Sequence, residues 1–269
     1  MLSPIEQGIK EKIENIGIPL KEWDVKIYRG ILTGYNEAFI IDEQTRNKLV
    51  DASPKSAEII RPILRGRDIK KYISNWADLY LINTHTGYKS QNGNIVPPVN
   101  LDEYPAVKEH LDKYSTQLLA RQDKGVTPYH LRSCIYMEDF FRPKIIYPEI
   151  TKFINFYLDT TDHYYVNNKC FILTGVHIEY LTAFFNSKLF KFCFTENFPE
   201  LMGGTRELRK VFFEKIPVMK VSDEVNEVFK LKISNFEGIN SKQLEEELNT
   251  MIFELYNLTA EEIFLINKS

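Results

Sequence analysis

Val25 to Asp42 reads VKIYRGILTGYNEAFIID. Two β-rich runs flank Thr33-Gly34-Tyr35-Asn36, whose Gly and Asn tolerate positive φ. The pattern predicts a hairpin. Upstream, Ser3, Pro4 and Glu6 form a capping box, and Ile5, Ile9, Ile13 and Ile16 recur at helical spacing before Gly17 and Pro19 end the run. Downstream, Asp42 and Ser53 are each placed to cap a short helix.

Farther along, Leu79 to Ile82 reads as a strand and Thr84 to Asn94 as an exposed polar loop with an Asn-Gly turn. Val107, Leu111, Tyr114 and Leu118 predict a helix over Pro105 to Arg121. Lys144 to Tyr147, Phe153 to Leu158, Tyr164 to Val166 and Cys170 to Leu173 read as strands. Asn167-Asn168 would join the last two as a hairpin. Ile178 to Phe192 reads as one apolar helix. Strands and helices mix without regular βαβ alternation, so the expected class is α+β.

The chain has 269 residues and a net charge of −3, enough length for a large core without disulfide or metal staples. The charge is unevenly spread. Ser222 to Ser269 holds ten acidic and four basic residues, which leaves residues 1–221 at +3. Leu244, Leu248, Met251 and Leu255 form an amphipathic stripe in that tail, and Thr259 to Glu262 is a second capping box. The expected organisation is a body over 1–221 and an acidic helical extension over 222–269.

Positive charge concentrates in three windows of the body. Arg61 to Lys71 holds five basic residues and one acid, Gly203 to Lys220 five and two, and Arg121 to Arg132 three and one. A solvated basic face is the plainer account of any one window. Three windows suit a nucleic acid if the fold brings them together, because Arg can bind guanine or phosphate through two donors and Lys positions phosphates.

Motifs for chemistry are lacking. The sequence has no phosphate-binding loop, no dinucleotide fingerprint, no G-x-S-x-G, no H-E-x-x-H and no N-P-P-[YF]. Five histidines and three cysteines are scattered without metal-ligand spacing. Asp24-Val25-Lys26 and Asp68-Ile69-Lys70 have the look of a nuclease D-x-K but no evident carboxylate partner, and such triplets arise by chance. Tyr180 to Phe194 is interrupted by Asn186, Ser187, Lys188 and Lys191, short of the roughly 20 apolar residues of a membrane span. The first residues lack a signal-peptide pattern. The expected compartment is the cytoplasm.

The runs IYRGILTGYNEAFIID (Ile27 to Asp42) and EIIRPILRGRDIKKY (Glu58 to Tyr72) resemble the TaqI-like C-terminal specificity domain, the target-recognition part of Type IIG restriction-modification enzymes and related adenine-specific DNA methyltransferases. YLINTHTG, YPAVKEHLDKYSTQLLARQDKG, RPKIIYPEI, YLTAFFNSKLFKF, EKIPV and ELYNLTAEEI follow in order and extend the resemblance over nearly the whole chain. It implies a mixed-sheet DNA-methylase specificity-type domain with flanking helices and a C-terminal helical hairpin. Gly30 and Gly34 would serve the hairpin turn, Asn186-Ser187 a helix feature and Pro217 a strand edge.

It further implies sequence-specific recognition of double-stranded DNA without chemistry in this chain. A methyltransferase domain, in cis or as a separate subunit, would bind S-adenosylmethionine, and a nuclease domain where present would use Mg2+. Neither domain is expected in this sequence, and no cofactor or metal is expected in it. Base contacts vary with the target and do not carry over. Loop position and charge instead nominate Arg65, Arg67, Lys89, Gln91, Asn92, Arg121, Lys124, Arg132, Arg206 and Arg209 for bases, with Lys70, Lys71 and Lys210 for phosphates. The alternatives are a protein-protein interaction module docking another chain through the two apolar stripes, and a degenerate nuclease.

Overall fold

The computed structural model describes residues 3–90, 92–152, 154–234 and 241–268. A four-stranded antiparallel sheet runs in the order Tyr157–Asp159, Lys144–Pro148, Cys170–Gly175, Val25–Arg29. Its two middle strands are apolar on both faces. Ile145, Tyr147, Phe171 and Leu173 join one hydrophobic core, while Ile146, Cys170 and Ile172 join another. Successive side chains on a strand point to opposite faces, so a sheet between two cores needs continuous apolar runs, as IIY and CFIL supply.

The second core is closed by a second sheet, this one mixed, ordered Tyr165–Val166, Ile60–Leu64, Leu79–Ile82, Ile40–Asp42. Its first pair is parallel and the others antiparallel. Both predicted hairpins give way here. Val25–Arg29 pairs with Cys170–Gly175 in the first sheet, while Ile40–Asp42 pairs with Leu79–Ile82 in the second. The segment between them carries the chain across, with a helical turn at Asn36–Phe39 and Gly34 at φ +69°. Likewise Asn167 accepts from Cys170 N–H at 2.9 Å, but the flanking strands diverge into different sheets. A local turn signal cannot report which partner wins the strand beyond it.

Three small sheets complete the β structure of the described residues. Glu200–Leu201, Thr205–Glu207 and Ile150–Thr151 form one antiparallel sheet. Ile18–Pro19 meets Pro217–Val218. Tyr88–Lys89 meets Ile95–Val96 around an Asn-Gly turn in which Gly93 has φ +82°. These mixed helices and small sheets make the α+β class.

Helix starts follow the local chemistry. Ser3 and Glu6 make their capping box on Pro4–Ile16, Asp42 accepts from Thr45 N–H at 2.8 Å, and Thr259 and Glu262 cap Ala260–Lys268. Ser53 is the exception: the following 3-10 turn Pro54–Glu58 has no side-chain cap. Two predicted single helices are broken pairs, Pro105–Asp112 with Ser115–Ala120, and Ile178–Asn186 with Lys188–Phe194. The acidic segment forms Asp223–Ser234, Ser241–Leu255 and Ala260–Lys268.

The apolar stripes are used mainly internally, with Ile5 and Ile16 of the first left exposed. Ile9, Ile13, Leu244 and Leu248 are fully buried in the first core, beside Phe184, Phe190 and Ile266. That use removes the main motive for the interaction-module alternative. No helix of the described residues is long and apolar enough to cross a membrane.

Candidate functional site

At one end of the central sheet, Lys144–Pro148 stops and Cys170–Gly175 starts. A concavity of about 500 Å³ opens there, lined by Arg65, Arg67, Lys70, Lys152, Lys169, Thr151 and Asn155 among others. Three elements build it. The 3-10 turn Gly66–Asp68 follows strand Ile60–Leu64. Ile150–Thr151 extends past the central strand, and Lys169 leads into its neighbour, with its carbonyl accepting Glu149 N–H at 2.8 Å.

Asp68 sets the first wall. Its buried carboxylate accepts Arg65 N–H at 2.8 Å and the Arg65 guanidinium at 3.0 Å through each oxygen. That carboxylate is therefore committed to holding a turn, which accounts for the second of the two nuclease-like triplets. Arg67, Lys70, Lys152 and Lys169 are exposed, and among the described residues no ion pair or hydrogen bond engages the side-chain cation of any of the four. Among the described residues no carboxylate lines the concavity, Asp68 being buried behind the Arg65 turn. Cations left without neutralising partners attract phosphate strongly.

A second depression of about 300 Å³ adjoins it across the Asn168–Lys169 turn and is lined by Arg29, Arg132, Ser133, Cys134, Tyr136 and Asn168. Arg29 is half-exposed and pairs with buried Glu149 at 2.7 Å. Burial pushes the Cys134 thiol up to about 12, so at neutral pH it is protonated and a poor nucleophile. Among the described residues no three His, Cys, Asp or Glu side chains converge as metal ligands. The two depressions offer hydrogen-bond donors and positive charge.

Of the nominated residues, the fold gathers Arg65, Arg67 and Lys70 in the larger concavity and Arg132 in the smaller. Arg132 also contacts Asp123 at 3.1 Å. Arg206 lies beside this region, because its strand pairs with Ile150–Thr151. Its guanidinium is held by Glu196 at 2.8 Å and Glu200 at 3.2 Å. Arg209 pairs with Glu207 at 2.7 Å. Lys210 faces Glu214 at 3.4 Å in a separate depression with Lys21 and Lys26. Lys71 is tied to Glu245 at 3.1 Å. Lys124 donates to the Leu119 carbonyl at 3.0 Å. Lys89 and Asn92 are exposed on their own hairpin, and Gln91 lies outside the described residues.

Arg121 is corrected outright. It is 7% exposed. Its guanidinium donates to the carbonyls of Thr33, Asp123, Pro128 and His130 and lies over the Phe39 ring at 4.7 Å. It knits loops to the second core and cannot reach a ligand. Conversely, Lys152, Lys169 and Arg29 reach the site without any signal in the sequence. Each sits outside the three basic windows, with nothing local to single it out.

The model of a family described as the TaqI-like C-terminal specificity domain matches residues 61–218. No curated protein matches the chain. The solved structures that share the fold include two restriction enzymes. The type IIG restriction endonuclease BpuSI aligns at TM-score 0.55 and 15% identity, over 94% of this chain and 33% of that one. The Type IIL restriction-modification enzyme MmeI, solved in complex with DNA, aligns at TM-score 0.62 and 11% identity, over 94% and 36%. The chain spans about a third of the length of these solved enzymes.

Proposed function

The chain belongs to the TaqI-like C-terminal specificity domain family, and from that premise we propose that it recognises a specific double-stranded DNA sequence for a restriction-modification enzyme. One observation carries the reading. A protein of net charge −3 gathers Arg67, Lys70, Lys152 and Lys169, whose side chains have no ion pair among the described residues, around a single concavity. These four grip phosphates, and Arg65 stiffens the turn that presents two of them. Adjacent loops read the bases, since phosphate contacts set register and base contacts set sequence.

A methyltransferase domain, in cis or as a separate subunit, would face this surface across the duplex and flip the target adenine. S-adenosylmethionine, and Mg2+ where a nuclease accompanies it, belong on this reading to those other domains. This chain contributes grip and selection.

Salt dependence tests the proposal. Fluorescence anisotropy with a labelled duplex should show log K falling linearly with log salt concentration, at about −0.9 per phosphate contacted. Lys152→Ala/Lys169→Ala should make that slope shallower by about two and weaken binding to every sequence alike. Salt-independent binding, or a double variant with the parent's slope, would remove this concavity from the interface.

A further inference from the structure

The Arg29 guanidinium is fixed on two sides and open on the third. Its Nε donates to the Asn168 carbonyl at 2.8 Å, and its Nη2 donates to both oxygens of Glu149 at 2.7 and 2.8 Å. Nη1 has no partner among the described residues. Glu149 is 4% exposed, whereas the Arg29 side chain keeps 48% of its surface.

The main chain is held as firmly. Arg29 is in strand register with Phe171. Its carbonyl accepts the Tyr136 hydroxyl at 2.9 Å, and Tyr136 stacks on Tyr28 with centroids 4.3 Å apart and planes 9° apart.

This arrangement does not suit a phosphate clamp. A guanidinium already paired with a buried carboxylate has little net charge left to attract an anion. Lys169, next to Asn168 on that turn, and Lys152 in the larger concavity are free to do that. What Arg29 keeps is orientation. A donor held in place before binding loses little rotamer freedom on making a directional contact. The depression around it also carries Ser133, Asn168 and Arg132, the polar side chains that base-edge recognition uses. Guanine presents two acceptors, N7 and O6, on its major-groove edge.

We propose that Arg29 is a specificity-determining residue that donates from Nη1 to the major-groove edge of a guanine, with Glu149 as its positioning residue. The assignment rests on the DNA-recognition reading above and adds the division of labour: the larger concavity holds phosphates, and the smaller reads a base.

The experiment uses the full chain and a duplex library randomised through its centre, selected at low salt. The parent should enrich a motif containing guanine. Arg29→Gln keeps a donor for Glu149 but cannot extend to the base. It should relax or change preference at one position, by about tenfold, and retain the rest of the motif and the parent's salt slope. Arg29→Lys keeps the charge against Glu149 and serves if the glutamine variant fails to fold by circular dichroism. An unaltered motif would overturn the assignment of Arg29 alone. So would a uniform affinity loss with a slope shallower by about one, which marks a phosphate contact. A parent chain that enriches no motif would overturn the DNA-recognition reading itself, and this inference with it.

Discussion

Gly30 has no room for a side chain. A Cβ there would lie 2.1 Å from the Asn167 carbonyl oxygen and 2.5 Å from that of Val166, both backbone atoms that cannot turn aside. The close approach puts the Asn167–Lys169 turn over strand Val25–Arg29, and so brings the Asn168 carbonyl to Arg29. Gly30→Ala should cost about 1–3 kcal/mol through overpacking. The urea midpoint should fall with an unchanged slope. Gly30 thus serves a crossing between two strands rather than a hairpin turn. The same scale separates Arg121 from Arg67. Both lie in basic windows, but one is surrounded by carbonyls and the other by solvent. Window counting has no access to that difference, because burial is a property of distant neighbours.

Among the elements, the junction of Ile178–Asn186 with Lys188–Phe194 shows how an apolar period can hide a break. The spacing continues across Ser187, so periodicity reads one helix. In the fold, the Ser187 hydroxyl donates to the Phe184 carbonyl at 2.6 Å and accepts Phe190 N–H at 3.1 Å. It therefore closes one helix and caps the next. Asn186 bonds both the N–H and the carbonyl of Phe156, at 3.0 and 2.8 Å, which fixes the pair beneath the central sheet. Ser187→Ala should cost about 1 kcal/mol and Ser187→Gly only a few tenths, as read from thermal unfolding. Caps at Ser3, Asp42 and Thr259 were legible because each acts within one turn of its own residue.

Across the whole molecule, the central sheet divides two cores, and the helices and loops of the second core hold imidazoles away from water. Burial keeps His85 and His110 below the usual value of 6.5. His110 Nε2 lies 3.0 Å from the Ala38 carbonyl. As pH falls through 6.5, the unfolded chain binds protons that these folded sites resist, so stability drops in that window. The melting temperature should decline from about pH 7 to pH 5, and His85→Asn/His110→Gln should flatten the decline. At alkaline pH the order reverses for tyrosine. Burial raises Tyr147 and Tyr180 well above 10, so stability is present below that value and is lost as unfolded tyrosines ionise above it.

The α+β class, the capped helix starts and the partition of charge between a basic body and an acidic tail were determined by the sequence alone, since each depends on composition or on residues within a turn of one another. Only the tertiary structure decided which strands pair, because the partners of residues 25–42 lie at 79–82 and 170–175, and local turn chemistry carries no information over that distance. It also decided the site. Arg29, Arg67, Lys152 and Lys169 come from four separate stretches, and they become one surface only where the ends of two sheets meet.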